Sequence, residues 1–147
     1  MKTLTTFILF FITLSSFAQL KVTETKKEEV VGEYNLLGTS YAKIAKDGEY
    51  CFFTYRDEKF AQIDNYKSFY FKITDLDSLY DLLTNFTNIE KGSKKTVELE
   101  NGDKLDIEYK KTMGTMFAEV YHISKSGVIG KLRYLTPKQL KKLFGKE

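Results

Sequence analysis

An amphipathic stretch at the centre of the chain determines how the rest is interpreted. From Ile73 to Phe86 the apolar residues recur at steps of three and four, which is typical of a helix with one buried side; they are Leu76, Leu79, Leu82, Leu83 and Phe86. Thr74 is expected to cap the first turn, and Asp75 and Asp77 suit the positive end of the helix dipole. We therefore predict a helix that separates two similar halves of the chain.

Alternating apolar and polar residues before this helix predict β-strands. Segments 41–46 and 49–55 are expected to form a hairpin across Asp47-Gly48, a two-residue turn signal, with Ile44 opposite Cys51. A short, weak strand is predicted at 60–63. A stronger strand follows at 66–73 and leads into the helix.

The next hairpin has a register that the side-chain pattern determines. A two-residue loop would mix apolar and polar residues on each face, because a slip of one residue turns every side chain over. A three-residue loop, Glu100-Asn101-Gly102, keeps the faces consistent and gives Gly102 a left-handed backbone. This register predicts Glu98 opposite Lys104 and Lys94 opposite Glu108.

A last hairpin and a helix are predicted to end the chain. The hairpin joins strands 115–124 and 128–134 across a turn at 125–127. In the helix, Thr136 and Gln139 have the spacing of a capping box, with Pro137 between them at the first helical position. Three apolar residues, Leu140, Leu143 and Phe144, are expected to face the core.

These elements predict an α+β fold. The order is β4-α-β4-α, an internal repeat with halves at 34–90 and 91–147, an antiparallel sheet, and both helices on one face of that sheet. Two-half arrangements of this kind are similar to those of some single-stranded nucleic-acid binders of the Whirly and Pur type, a comparison that rests on element order.

The first residues predict export. A short positive start, an apolar run from Leu4 to Phe17 and the small residues Ser16 and Ala18 are typical of a signal peptide, cleaved between Ala18 and Gln19. Residues 1–18 are thus predicted to be removed, residues 19–33 to form a polar leader, and residues 34–147 to form one α+β domain. The expected location is secreted or periplasmic, with no membrane span after cleavage.

Charge is unevenly distributed between the halves. Residues 19–90 hold 9 basic and 13 acidic side chains, whereas residues 91–147 hold 13 and 7. A basic second half can attract an anionic partner such as a polyanionic surface polymer. The alternative is that these lysines lie on solvated strand and helix faces, and we favour it.

The sequence contains few residues of the kinds that enzymes most often use. Cys51 and His122 are the only cysteine and histidine, so a multi-histidine zinc site is excluded, and both are expected to be buried strand residues. The carboxylates Asp75, Asp77 and Asp81 lack the pattern of a calcium loop. We predict no catalytic residue, no metal ligand and no cofactor.

Aromatic residues give the one positive indication of function. The chain has 10 Tyr and no Trp, and Tyr suits binding surfaces because it is apolar at one end and polar at the other. We single out Tyr50, Tyr55 and Tyr70 as candidate binding residues on the sheet faces. The predicted function is a non-catalytic interaction module for a protein partner or inhibitor target, with a glycan or polyanion as the second ligand class.

Two other functions are kept as alternatives. One is a small secreted hydrolase that uses Asp, Glu and Tyr; it requires a concave pocket with two carboxylates that have no cationic neighbour. The other is single-stranded nucleic-acid binding by fold analogy. Export argues against the second, so no nucleic-acid partner is expected.

Overall fold

The computed structural model describes residues 28–147, so the predicted signal peptide and most of the predicted leader lie outside the described residues. This part contains eight strands and two α-helices. The strands are β1 (Glu29–Leu36), β2 (Thr39–Asp47), β3 (Tyr50–Arg56), β4 (Tyr66–Lys72), β5 (Lys94–Glu98), β6 (Lys104–Thr112), β7 (Thr115–Ile123) and β8 (Ile129–Lys131). The helices are α1 (Leu76–Thr84) and α2 (Pro137–Leu143), and 3-10 turns lie at Glu58–Phe60 and Ile73–Asp75.

The strands form two antiparallel meanders. Sheet 1 has the order β1-β2-β3-β4, and sheet 2 has the order β5-β6-β7-β8. The predicted α+β class with antiparallel pairing is confirmed, but the prediction of one sheet is wrong. Hairpins keep each meander continuous, whereas the connection from β4 to β5 passes through α1 and a polar loop, which ends the first sheet.

Strand β1 begins within the stretch that the sequence assigned to the leader. Its polar residues hide the strand pattern, and a bulge between Val30 and Gly32 breaks the alternation. Gly32 is required there, because a Cβ atom would lie 2.3 Å from the carbonyl oxygen of Lys142. The close approach of β1 to the end of α2 therefore depends on a residue without a side chain.

The β2–β3 hairpin differs from its predicted register by two residues. Asp47 pairs with Tyr50, so the loop is Gly48-Glu49, and Ile44 lies opposite Phe53 instead of Cys51. Gly48 has φ +60°, as the first central residue of a type II′ turn requires. The faces are unaffected, because a shift of two residues returns each side chain to the same side.

The β5–β6 hairpin has the predicted register. Glu98 lies opposite Lys104 and Lys94 opposite Glu108, and Gly102 has φ +86° in the three-residue loop. The side chains of Lys104 and Glu98 approach to 2.9 Å. The alternation of apolar and polar side chains therefore predicts this hairpin correctly.

The two helices begin differently. The capping box of α2 is present, with the Thr136 amide donating to Gln139 Oε1 at 2.8 Å and the Gln139 amide donating to Thr136 Oγ1 at 3.4 Å. Thr74 does not cap α1, because the 3-10 turn at Ile73–Asp75 moves the cap position to Asp75. Residues 60–63 are not a strand; a 3-10 turn ends at Phe60.

The helices pack across the two halves. Helix α2, from the second half, contacts β1 and β2, and the ring of its Phe144 lies 6.2 Å from that of Phe53. Helix α1, from the first half, contacts β7, and Tyr109 Oη of β6 donates to the Leu82 carbonyl at 2.9 Å. Both sheets and both helices contribute to a single hydrophobic core.

Replacement of Gly32 by Ala is expected to destabilise the protein by about 2 kcal/mol, within the range for overpacked sites. The added Cβ would meet helix backbone, which cannot turn aside as a side chain can. Urea unfolding of the variant measures the effect. Gly114→Ala is the comparison, since a Cβ there meets nothing within 4 Å and any loss comes from the positive φ of +83° alone. A loss at Gly32 no larger than the loss at Gly114 would contradict the prediction.

Candidate functional site

The outer face of sheet 1, opposite the core, carries an apolar row across all four strands. Hydrogen-bonded pairing aligns Val30 of β1, Ala45 of β2, Phe52 of β3 and Tyr70 of β4. Val30 is 51% exposed and Phe52 is 40% exposed. These four residues, called the apolar row below, lie on the face of sheet 1 that points away from the hydrophobic core.

The aromatic rings at the row are tilted against one another. The Tyr50 and Tyr70 rings lie 5.4 Å apart at an interplanar angle of 89°, and the Phe52 and Tyr70 rings lie 5.8 Å apart at 38°. Edge-to-face contacts of this kind are the favoured geometry for aromatic pairs. The result is a ridged surface instead of a flat one.

Two of the three candidate tyrosines come together here, and the third does not. Tyr50 and Tyr70 lie on the outer face, whereas Tyr55 is 1% exposed and points into the core. Tyr50 and Tyr55 are five positions apart on β3, so the two-residue period of a strand places them on opposite faces. The same period places Phe52 beside Tyr50 on the outer face. Phe52 was missed from the sequence because only tyrosines were selected.

The β5–β6 loop reaches one end of this surface. Glu100 lies 2.5 Å from the Lys72 ammonium and accepts a hydrogen bond from the Tyr50 hydroxyl at 3.3 Å. The Glu100 carboxylate raises the pKa of Tyr50, and the hydrogen bond from Lys72 lowers the pKa of Glu100. These contacts connect Tyr50 and Lys72 of the first half to Glu100 of the second half.

A cleft of about 600 Å³ lies beside the apolar row. Ala45, Phe52 and Ile73 supply its apolar lining. The remaining side chains that line it are mostly acidic: Glu28, Glu29 and Asp47, with Lys46 and the backbone of Gly48. The cleft therefore combines apolar side chains with a mostly acidic border.

The outer face of sheet 2 has a different chemistry. The row that crosses its four strands consists of Thr96, Asp106, Tyr121 and Lys131. Beside it, Glu119 pairs with Lys110 and, at 2.7 Å, with Lys131. Burial alone would raise the pKa of Glu119, but the hydrogen bonds from both lysines lower it to about 2. On this face, Glu119, Lys110 and Lys131 are therefore paired with one another.

The seam between the halves contains a buried polar relay. Tyr55 Oη lies 3.0 Å from His122 Nδ1, and His122 Nε2 lies 2.9 Å from Asp103 Oδ2. Asp103 Oδ1 accepts from the amide of Lys125 at 2.8 Å. In the neutral imidazole this arrangement requires Nε2–H to donate to the carboxylate and Nδ1 to accept from the Tyr55 hydroxyl.

Electrostatics within the relay fit these roles. Burial raises the pKa of Tyr55, and the nearby carboxylates of Asp57 and Asp103 add to the shift, so the hydroxyl keeps its proton. Burial alone would also raise the pKa of Asp103, but hydrogen bonds from His122, Lys125 and Asn101 hold it below its ordinary value. Asp103 therefore accepts as a carboxylate.

A second buried carboxylate crosses the same seam. Asp57 is fully buried, and its Oδ1 accepts from the amides of Lys59 and Lys131 at 3.0 Å each. The Lys67 ammonium lies 2.7 Å from Oδ2. Burial opposes ionisation here too, but these donors together lower the pKa of Asp57.

The relay occupies His122, the one histidine of the sequence. Both ring nitrogens of His122 are engaged by Tyr55 and Asp103, so the imidazole has no free position to activate the buried thiol of Cys51. In the described part of the chain, no three His, Cys, Asp or Glu side chains are grouped to hold a metal ion. Within residues 28–147, no helix has the length and apolar character needed to cross a membrane.

Comparison of the chain with models of known protein families, with curated proteins and with solved structures found no match.

Replacement of Tyr55 by Phe is expected to cost about 1–3 kcal/mol of stability, because it leaves His122 Nδ1 buried without a donor. Tyr70→Phe removes an outer-face hydroxyl from the same sheet and should change stability by less than about 0.5 kcal/mol. Chemical denaturation of both variants tests the difference. Equal stability of the two variants would mean that the relay hydrogen bond contributes nothing.

Acid is expected to weaken the fold. The pKa values of Asp57, Asp103 and Glu119 are lowered in the folded protein from ordinary values of 3.8, 3.8 and 4.5, so the unfolded chain takes up protons first as pH falls. Their stabilisation is complete above these ordinary values and is lost as pH falls from about 4.5 towards 2.

Urea unfolding at a series of pH values measures this dependence. Glu119→Gln removes one of the three groups on a partly exposed site, so its free energy of unfolding should fall less steeply over the same range. A wild-type stability that stays constant between pH 5 and 2 would refute the assignment.

Proposed function

We propose that the protein is an exported, non-catalytic interaction module that binds a protein partner through the outer face of sheet 1. The contrast between the two outer faces carries this proposal. The residues aligned across the four strands are mostly apolar in sheet 1, whereas those aligned across sheet 2 are mostly polar and lie beside paired charges. Exposed apolar surface that the fold does not need is typical of interaction sites.

Ring geometry favours a polypeptide over a glycan. A sugar stacks on an aromatic ring through a flat face, so coplanar rings form the most favourable platform for a sugar chain. The angles of 89° and 38° around Tyr70 do not provide such a platform. Tilted Tyr and Phe side chains with a polar border are instead typical of the centre of a protein interface.

The hydrolase alternative is less well supported. It requires two carboxylates in a concave site without cationic neighbours. In the cleft beside the apolar row, Glu28 lies 2.5 Å from Lys43 and Glu29 lies 3.8 Å from Lys46. Both carboxylates therefore have the cationic neighbour that this alternative excludes.

The proposal also concerns how the two halves and their helices are arranged. We infer that the two β4-α halves are structural repeats, and that each helix covers the core-facing side of the sheets and leaves the outer faces free. The secreted or periplasmic location follows from the signal sequence and is proposed with it.

A photo-cross-linking amino acid introduced at Phe52 is expected to form adducts with a partner protein, in export-competent cells that produce the protein. The same amino acid at Tyr121, an aromatic on the outer face of the third strand of sheet 2, should form none. Adducts are identified by mass spectrometry. Equal labelling from both positions, or adducts only between copies of this chain, would overturn the proposed partner surface.

A further inference from the structure

We infer that the partner presents a cationic, aliphatic segment, with lysine or arginine side chains beside leucine-like ones, to the cleft at the end of the β2–β3 hairpin. This inference rests on the proposed function and specifies the chemistry of its ligand. It combines the shape of the cleft, the charges that line it and the distribution of charge over the whole chain.

The cleft continues the apolar row. Ala45 and Phe52 belong to both, so a segment that packs on the row extends into the cleft without leaving apolar surface. Ala45 is only 4% exposed, whereas Phe52 is 40% exposed, so Phe52 is the principal contact for an incoming aliphatic side chain. Apolar contact at the centre of an interface supplies most of its affinity.

The charges around this apolar lining are predominantly negative. Glu28 and Glu29 have lysine partners, but their side chains remain 62% and 76% exposed, so they have oxygen atoms available for an incoming cation. Asp47 has no ion-pair partner within residues 28–147. A cationic group seated here would approach three carboxylates and two lysines, Lys43 and Lys46.

The rest of the first half strengthens the same field. Residues 19–90 carry 13 acidic and 9 basic side chains, so this half attracts a cation before contact and repels an anion. On the outer face of sheet 2, by contrast, Lys110 and Lys131 both pair with Glu119, and Lys110 also lies 3.7 Å from Glu108. The outer sheet faces therefore favour a cationic ligand over the polyanion that the basic second half had suggested.

Two ten-residue peptides test the inference on the purified protein, one with alternating lysine and leucine and one with alternating glutamate and leucine. Isothermal calorimetry or fluorescence anisotropy gives their dissociation constants. The lysine peptide should bind at least tenfold more tightly than the glutamate peptide, and its affinity should fall as salt is raised. A lysine–serine peptide is the control for charge alone, and it should bind more weakly than the lysine–leucine peptide.

Variants locate the site. Phe52→Ser should weaken binding of the lysine–leucine peptide about tenfold, and Asp47→Asn should weaken it about threefold, the effect of one exposed charge pair. Asp81→Asn removes the same charge from α1, outside the cleft, and should leave affinity unchanged. Unfolding midpoints of all three variants are measured alongside, so that a change in affinity is compared between folded proteins.

The outcomes separate the inference from the proposed function. If the glutamate peptide binds equally well and Phe52→Ser weakens both peptides, the apolar surface stands and the cationic ligand is wrong. If neither peptide binds at millimolar concentration, or if Asp81→Asn has the same effect as Asp47→Asn, the inference is overturned. The cross-linking result at Phe52 then decides the proposed function independently.

Discussion

The exchange of helices between the halves is the constraint on which the rest of the structure depends. A four-stranded meander has an apolar face that must be covered, and each helix follows the sheet of its own half but contacts the other sheet. Phe144 of the second half lies against Phe53 of the first, and Tyr109 of the second half binds the Leu82 carbonyl of the first. Neither half can complete a core alone, so folding is expected to be cooperative over both.

The buried relay determines how the halves meet at their seam. Tyr55 and Asp57 come from the first half, and His122, Asp103 and the Lys131 amide come from the second. A displacement of one half relative to the other would leave several of these groups buried without partners, at a cost of about 1–3 kcal/mol each. Gly130 permits the approach, because a Cβ there would lie 2.1 Å from Tyr55 Oη.

Local patterns in the sequence predicted local structure, and the exceptions have physical reasons. The β5–β6 register and the Thr136 capping box follow from side-chain alternation and from spacing, so both were predicted correctly. Strand β1 was missed because its bulge disrupts the alternation, and the relay of Tyr55, His122 and Asp103 was missed because its members are 67 and 19 positions apart. Of the candidate surface, the sequence predicted Tyr50 and Tyr70. It did not predict that Val30, Ala45 and Phe52 lie side by side, because these pairings depend on the register of β1 and β2.

The two sheets differ on their outer faces, which point away from the shared hydrophobic core. Both helices pack in the shared core, so the outer faces are free to vary without loss of the architecture. On sheet 2 the outer face carries charged side chains, with Glu119 between Lys110 and Lys131. On sheet 1 the corresponding strands carry Val30 and Phe52, which keep about half their surface in water and contribute little to the core. These exposed apolar residues are the observation on which the proposed partner surface rests.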